Sequence, residues 1–431
     1  MPPSTPPPAG VRVSTTALPS AQPDQAQRTA ARTWPPAIWT LMAGTFIVRG
    51  LGFTFPFLPY HLTHLELPTS SVGVLLATFG GGWLAGSVAC GWLADRLGRR
   101  NTLIGTLVLG AAVLPLLAQA RATPALFAAT FVAGAVYDGS RPVFTAVIAD
   151  AFPDDDARAS VNAWRNFTVN VGAAVAGTVG GALAAPIGIP ALIWINAAAC
   201  GGFALVAWRF IDYREPARPT RRPRVAAALA DRSLWWLIAA SLAALTCTAS
   251  LFSALPMLME REGLSAADYG WAQAANAAAV LALSPLLNRW LARRAARPAP
   301  MTGILALSSL LLAVGVGASG FVSTTLGYSA TAALAVPGEI IAFVAAADIL
   351  HRIAPPAAQG TYAGIWGTTL AGAVIVAPLL ATWALTHGGN ALVGVATFTA
   401  GLLGAALCWP LARAVRHTTR LEPNHVKEPT P

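Results

Sequence analysis

The stretch GWLADRLGRR, residues 91–100, separates two long apolar runs at about 70–94 and 101–120. The stretch contains four charged residues, whereas the runs on either side of it contain none. About 20 consecutive apolar residues are enough to cross a bilayer as a helix. The pattern therefore predicts a helical hairpin in a membrane, with a basic turn at one membrane surface.

The same alternation continues through most of the chain. Of its 431 residues, 55% are hydrophobic and 11% are charged, against about 25% charged in an average soluble domain. Membrane barrel strands would instead alternate polar and apolar residues over segments of about ten residues. We therefore predict an all-α integral membrane protein with twelve transmembrane helices. The predicted spans are roughly 37–61, 70–94, 101–120, 124–150, 159–185, 189–211, 233–258, 266–292, 300–320, 324–351, 358–385 and 389–413.

The arginines are distributed unevenly between the two sides of the predicted membrane protein. Most lie in even-numbered connections or near the C-terminus, whereas the odd-numbered connections contain only Arg121 and Arg261. The positive-inside rule then places the N- and C-termini in the cytoplasm. The net charge of +10 results from this bias. It would also attract the protein to anionic lipid in the bilayer. No soluble basic domain is present to bind nucleic acid, so we expect no nucleic-acid partner. One Lys against many Arg suggests a bacterial cell membrane.

The composition divides the chain into five segments. Residues 1–34 are rich in Pro, Ala, Ser and Thr and are predicted to be a disordered cytoplasmic tail. Residues 35–212 and 233–413 each form a predicted six-helix bundle, joined by the basic cytoplasmic linker 213–232. Residues 414–431 form the predicted C-terminal tail.

An internal repeat supports two pseudo-symmetric bundles. Pro59 and Gly73 have the same spacing as Pro256 and Gly270. The stretch SPLLNRWLAR at 284–293 also resembles a diverged copy of GWLADRLGRR. Duplicated bundles imply a central cleft, and transporters of this kind bind their substrates near the membrane midplane.

The stretch at 91–100 fits the pattern G-x-x-x-D-R-x-G-R-R and resembles the signature loop of the major facilitator superfamily. The resemblance implies the major facilitator fold, a transporter and not an enzyme, and a conformational-switch loop. That loop comprises Gly91, Asp95, Arg96, Gly98, Arg99 and Arg100. It also implies that Asp95 braces the two halves near the start of helix 11, at about 357–361. Gly91 is expected to allow close helix contact, and Gly98 a tight turn.

Helix 5 carries a second resemblance. The stretch NVGAAVAGTVGGAL, with Gly172, Gly177, Gly180 and Gly181, resembles the antiporter motif of the same superfamily. Gly177 stands where that motif has proline, which weakens the inference of antiport. A packing face of small residues is the alternative. VRGLGFTFPFLPYHL, YDGSRP and PGEII look similar to the drug:proton antiporter branch.

A few charged residues fall inside predicted spans. They are Arg49 in helix 1, Asp138 and Arg141 in helix 4, Arg165 in helix 5 and Glu339 in helix 10. Ionisable groups in a membrane pair with one another or face a water-filled cavity. We predict that Asp138 pairs with Arg49, with Arg141 or with both in a central cavity.

Two readings of these charges remain open at this stage. Asp138 either exchanges its arginine partner for a proton during transport or forms a fixed structural pair. Glu339 follows Pro337 and Gly338 and belongs either to the cavity or to the membrane interface. Arg165 either reaches the cavity or extends to the surface.

Aromatic and amide side chains complete the predicted cavity. Such faces bind lipophilic or cationic ligands through apolar contact and cation–π attraction. The candidates for substrate contact are Phe53, Phe79, Trp83, Tyr137, Asn170, Asn276 and Tyr362. We expect no metal site, because His61 and His64 have only Glu66 nearby as a third ligand.

The function predicted from these features is secondary transport of a small molecule. The favoured form is proton-coupled drug efflux by a monomer, energised by the proton gradient without a cofactor. An importer or uniporter of a nutrient or siderophore with the same fold is the first alternative. A membrane sensor or scaffold that transports nothing is the second.

Overall fold

The computed structural model describes residues 34–152, 154–211, 225–355 and 358–420, and in these ranges the chain is helical apart from short connections. Backbone polar groups in lipid must be satisfied within the chain, which favours helices. In chain order the helices are α1 (Pro36–Gly50), α2 (Thr54–Thr63), α3 (Thr69–Leu97), α4 (Arg99–Gln119), α5 (Thr123–Tyr137), α6 (Arg141–Ala151), α7 (Asp155–Ile187), α8 (Ile189–Phe210), α9 (Val225–Leu229), α10 (Arg232–Ser250), α11 (Ala254–Arg261), α12 (Ala266–Ala295), α13 (Thr302–Gly317), α14 (Thr325–Ile353) and α15 (Gln359–Arg420), with a 3₁₀ turn at Ala318–Phe321.

Three predicted spans are each divided into two helices. Three residues separate α1 from α2, α5 from α6 and α10 from α11. The break between α5 and α6 lies at 138–140, so the prediction of one continuous helix over 124–150 is wrong. Asp138 therefore lies in a turn and does not share a helix face with Arg141.

Polar side chains satisfy backbone groups at two of these breaks. At the first, the backbone N–H of Thr54 donates a hydrogen bond of 3.4 Å to Oδ1 of Asn196, which also accepts one of 2.7 Å from the Thr54 hydroxyl. At the third, the carbonyl of Leu251 accepts hydrogen bonds from the Tyr269 hydroxyl at 3.1 Å and from Nε2 of Gln273 at 3.3 Å. Such partners let a membrane helix break without leaving a backbone group unpaired.

Helix α15 contains a reversal. Gly389 has φ 66° and ψ −157°, angles that glycine adopts without steric cost. Before the reversal Nε1 of Trp366 donates to the Ser241 hydroxyl, and after it the carbonyl of Thr397 accepts from Sγ of Cys247. Both segments of α15 therefore pack on the same helix, α10.

Nine helices in the described ranges are long and apolar enough to cross a membrane. That number counts α15 once, although Gly389 divides it. It counts α1 with α2 and α10 with α11 as single spans, and it leaves out α5, α6 and the alanine-rich α12. The finding supports a multi-pass membrane protein, and the twelve-span arrangement stays a prediction.

The structure also refines the predicted segment boundaries. Residues 225–229 of the predicted linker form α9, and α15 continues to Arg420, past the predicted tail boundary at 414. Residues 1–33, 213–224 and 421–431 of the predicted tails and linker lie outside the described residues. The division into two bundles is untested and stays a prediction.

Two ends of the molecule can be defined from the helix connections. The basic end is where α3 meets α4 at Gly98 and where α12 meets α13 at 296–301. The opposite end is where α7 meets α8 at Gly188 and where α11 meets α12 at 262–265. At Gly98 the positive φ of 81° provides the predicted tight turn.

Glycines bring α3 and α5 into close contact. A Cβ added at Gly82 would lie 1.9 Å from the carbonyl oxygen of Phe131, and one at Gly86 would lie 2.1 Å from that of Ala135. On α5, a Cβ added at Gly134 would lie 2.0 Å from the carbonyl oxygen of Phe79 on α3. Backbone-to-backbone packing through small residues is typical of membrane helices.

The packing of α3 on α5 gives a direct test. Gly86→Ala is expected to lower the thermal unfolding temperature of the purified protein, because overpacking costs about 1–3 kcal/mol. Gly81→Ala is the matched control, since its Cβ would meet no atom within 4 Å. Equal unfolding temperatures for the two variants would contradict this packing.

Candidate functional site

Asp138 lies at the centre of a charge cluster in the turn between α5 and α6. Its Oδ1 pairs with Nη2 of Arg49, which is at the end of α1. Its Oδ2 lies 2.7 Å from Nε of Arg141, an ion pair whose angles are not those of a hydrogen bond. The side chain of Asp138 is 5% exposed, that of Arg49 13% and that of Arg141 43%. Of the pairings predicted from sequence, the structure contains both.

Arg165 on α7 belongs to the same region. Its guanidinium carbon lies 5.6 Å from the ring centroid of Phe144, one helical turn beyond Arg141. It interacts electrostatically with Arg141, Asp138 and Arg49. Its Nε is buried and has no hydrogen-bond partner among the described residues. Arg165 therefore reaches the charge cluster, the first of its two predicted positions.

Glu339 lies on the C-terminal half of the chain, midway along α14 between Thr325 and Ile353. The Asn276 side chain from α12 is within hydrogen-bonding reach of its carboxylate. Asn276 also donates a hydrogen bond of 3.2 Å to the carbonyl of Ala332. The other carboxylate oxygen, Oε2, is buried and has no hydrogen-bond partner among the described residues. Glu339 therefore lies far from both ends of α14, and its place in a central cavity stays a prediction.

An aromatic cluster adjoins the charges. It consists of Phe55, Phe79, Trp83, Tyr137 and Phe252, and neighbouring ring centroids lie 4.9–6.2 Å apart. The Arg49 guanidinium lies over the Tyr137 ring at 4.5 Å, which joins the charge cluster to the aromatic cluster. Stacked rings and a cation over a ring suit a ligand with an apolar body.

Phe252 was missed in the sequence analysis, although the repeat contained a signal for it. Phe252 has the same spacing to Pro256 as Phe55 has to Pro59. The two phenylalanines occupy equivalent positions in the repeat and meet at 5.3 Å between ring centroids.

The other predicted cavity residues are dispersed. Phe53 is fully buried and packs beside Gly180. Tyr362 is buried at the start of α15, where its hydroxyl donates a hydrogen bond of 2.8 Å to Asp231, just before α10. Asn170 is exposed on α7. The structure therefore brings Phe79, Trp83 and Tyr137 together and leaves these three outside the aromatic cluster.

The four glycines of the antiporter-like stretch all lie in close contacts. A Cβ at Gly172 would lie 2.7 Å from Cβ of Arg49, and one at Gly177 would lie 2.5 Å from Cβ of Gln273. One at Gly180 would lie 2.4 Å from the ring of Phe57, and one at Gly181 would lie 2.6 Å from Cα of Gly270. Gly177 and Gly181 thus let α7 pack tightly on α12.

Further contacts between the two halves lie towards the opposite end. A Cβ at Gly73 would clash with Thr382 at 2.1 Å, and one at Gly80 with the backbone nitrogen of Ile375 at 2.8 Å. The Tyr60 hydroxyl donates a hydrogen bond of 3.4 Å to the carbonyl of Ser265.

The same helices are open towards the basic end. In α12 the buried residues are Tyr269, Gly270, Ala272 and Gln273, followed only by Leu291. The basic-end half of α3 carries an apolar, open face that includes Val88 and Trp92. Contacts between the N-terminal and C-terminal parts of the chain are therefore found towards the opposite end, whereas α3 and α12 are exposed towards the basic end.

The loop at 91–100 has contacts on one side and is exposed on the other. Arg99 pairs with Asp150 and donates to the carbonyl of Ala146, and Arg100 donates to the carbonyl of Trp208. Asp95 and Arg96 are exposed, and Arg96 lies over the ring of Trp92 at 4.0 Å. Two arginines thus anchor the loop, while Asp95 faces open space.

The predicted close helix contact at Gly91 is absent from this structure. A Cβ added at Gly91 would meet no atom within 4 Å. The physical reason is that the face of α3 that carries Gly91 is open, whereas the neighbouring Cys90 is buried against Thr106 on α4.

The described residues contain no group of three or more His, Cys, Asp or Glu side chains that could hold a metal ion. His61 is buried with Nε2 3.4 Å from the carbonyl of Leu117, and Nδ1 of His64 lies 3.8 Å from Glu260. The four cysteines are free and buried.

Comparison with known proteins identifies the family. Residues 39–378 match the family model described as Major Facilitator Superfamily. This chain therefore belongs to the Major Facilitator Superfamily, and it is a transporter and not an enzyme. The family implies a small-molecule substrate and a place in a membrane. No curated protein matches the chain.

Solved structures agree with this fold. A peptide transporter, POT, crystallised in complex with sulfate, superposes with a TM-score of 0.74 at 16% identity, covering 90% of this chain and 99% of that one. A mutant of the peptide transporter POT superposes with a TM-score of 0.73 at 15% identity, with the same coverage. At this identity the likeness shows the fold alone.

The central ion pair yields a stability prediction. Arg49→Met is expected to destabilise the purified protein by about 3–5 kcal/mol, the usual cost of removing one partner of a buried pair. Adding Asp138→Asn should restore part of that loss, because the unpaired charge is then removed. Thermal unfolding of the single and double variants measures the effect, and strictly additive losses would contradict a direct pair.

Proposed function

We propose that the protein is a secondary active transporter that exports small organic molecules in exchange for protons. In this proposal its twelve spans form two six-helix halves that rock about the central cluster. The basic end and the termini face the cytoplasm of a bacterial cell, and the protein acts as a monomer in the plasma membrane. The proton gradient supplies the energy, and no cofactor takes part.

The observation that carries this proposal is the asymmetry between the two ends. Glycine contacts between α7 and α12 and between α3 and α15 close the opposite end, while the same helices are exposed at the basic end. The charge cluster lies between these regions, at the break in the fourth predicted span. A central site open to one side only is the arrangement that alternating access requires.

Proton coupling has two candidate carboxylates. Asp138 is held by arginines from α1 and from the start of α6. A rearrangement that moved Arg49 away would leave a carboxylate able to take a proton in its place. Glu339 already has a carboxylate oxygen without a partner among the described residues. Intramembrane ionisable groups of this kind form the proton relays of transporters.

The two carboxylates can be separated experimentally. In everted vesicles with an acidic interior, a panel of drugs, metabolites and organic ions should release protons through the wild-type protein. Asp138→Asn is expected to abolish that release if Asp138 carries the proton, and Glu339→Gln if Glu339 does. Glu66→Gln is the control, because Glu66 is exposed in a connection at the opposite end.

The outcome also distinguishes the alternatives. Substrate uptake into intact cells without proton release from vesicles would favour an importer or uniporter. No substrate flux in reconstituted vesicles would favour a sensor or scaffold. Wild-type proton release from both carboxylate variants would contradict the coupling mechanism.

A further inference from the structure

The charge cluster has more positive than negative groups. Arg49, Arg141 and Arg165 contribute three guanidinium groups, and Asp138 is the one carboxylate that faces them among the described residues. The cluster therefore has a surplus of two positive charges. Uncompensated charge away from water is costly and calls for a partner of opposite sign.

The surplus is located on Arg141 and Arg165. Arg49 is directed at Asp138 and at the Tyr137 ring, and both of these contacts are buried. The side chain of Arg141 is 43% exposed, so part of its guanidinium remains available to a ligand. Arg165 has a buried Nε with no hydrogen-bond partner among the described residues. Two adjacent arginines with unused donors suit a planar oxyanion.

The second half of the molecule carries a carboxyl group, that of Glu339, at the same depth. Arg141 lies nine residues before Asp150, and Glu339 lies nine residues before Asp348. Asp150 pairs with Arg99 and Asp348 with Arg352, so both aspartates mark the basic end of their helices. Nine helical residues span about 14 Å, which places Arg141 and Glu339 at similar heights. The positive surplus thus belongs to the N-terminal half alone.

We propose that Arg141 and Arg165 bind the anionic group of the cargo, so that the transported molecule is an organic anion with an apolar body. This proposal rests on the transport function proposed above and names its substrate class. The carboxylate or other oxyanion of the cargo compensates the surplus charge. Its apolar part lies on the aromatic cluster of Phe55, Phe79, Trp83, Tyr137 and Phe252, which adjoins the arginines through Tyr137. A monovalent cation would be repelled from the arginines.

The local charge can be measured without knowing the cargo. Val169 lies one helical turn from Arg165 on α7, towards Gly172, which contacts Arg49. A cysteine at Val169 is therefore a reporter beside the cluster, and the native cysteines are buried. The experiment compares its modification by an anionic sulfonatoethyl and a cationic trimethylammonioethyl methanethiosulfonate. Each rate is divided by that of the same reagent with 2-mercaptoethanol.

The proposal predicts that the anionic reagent reacts faster with Val169→Cys after this normalisation. Adding Arg165→Gln should reduce the anion-to-cation rate ratio by about three- to tenfold, the effect of removing one charge at close range in a partly screened site. Arg209→Gln is the matched control, because Arg209 also lies near a phenylalanine ring but sits at the end of α8. A ratio at or below one, or equal ratios in the Arg165 and Arg209 variants, would overturn the proposal.

A second arm tests binding of an organic anion. Benzoate and benzenesulfonate should slow modification of Val169→Cys by the uncharged methyl methanethiosulfonate, and benzyltrimethylammonium should not. Slowing by the cation alone, or by none of the three, would overturn the proposal.

These results are independent of the coupling experiment. An anion preference without proton release would leave the anion site intact and remove the proposed proton coupling. Proton release without an anion preference would support the proposed proton coupling and rule out the proposed anion site.

Discussion

The interaction on which the rest of the structure depends is the ion pair between Asp138 and its two arginines. A charged side chain at the centre of a bilayer costs roughly 2.5–3.5 kcal/mol on insertion scales. Arg49 and Asp138 avoid that cost by pairing with each other, which fixes the end of α1 against the turn between α5 and α6. The turn itself interrupts the fourth predicted span and leaves the side chain of Arg141 43% exposed. One electrostatic requirement thus positions three helices and creates the centre of the site.

Around that centre, small residues determine how closely the helices pack. Glycines on α3 and α7 meet their partners at the opposite end with no room for a side chain. Such contacts involve flat surfaces and few hydrogen bonds between the halves, so they can separate without breaking a large polar network. The tight packing within each half, as between α3 and α5, has no matching contact at the basic end of the interface. In the proposed alternating-access cycle, the two halves would move as rigid bodies.

Features that the lipid environment requires of any membrane-spanning chain could be predicted from sequence. The apolar runs, the turn at Gly98 and the pairing of Asp138 followed from the cost of exposing charge and backbone to lipid. The break at 138–140 was missed although the sequence marks it: Asp138, Gly139 and Ser140 are typical turn residues, and Pro142 lies at the start of α6. The apolar residues on both sides led to the prediction of a single span. The positions of Tyr362 and Asn170 depend on helix rotation, which periodicity does not fix in helices that are apolar on every side.

Gly91 shows a second reason why a contact predicted from sequence can be missing from a structure. A transporter sequence encodes more than one conformation, and its residues are selected for contacts in each of them. Gly91 and Asp95 face open space in this structure, and in the proposed alternating-access cycle their expected contacts would form when the basic end closes. The sequence indicates that contact, whereas a single structure contains only the contacts of its own state.

The central claim, that the two ends open and close reciprocally, can be tested by spin-label distances. One pair of labels would be placed at Trp164 and Leu286, exposed towards the basic end of α7 and α12. A second pair would be placed at Ile187 and Trp271, exposed towards the opposite end of the same helices. Gly181→Leu introduces a side chain where the two helices touch. The account predicts that this variant lengthens the opposite-end distance and shortens the basic-end distance. Distances that stay unchanged, or that lengthen together at both ends, would contradict it.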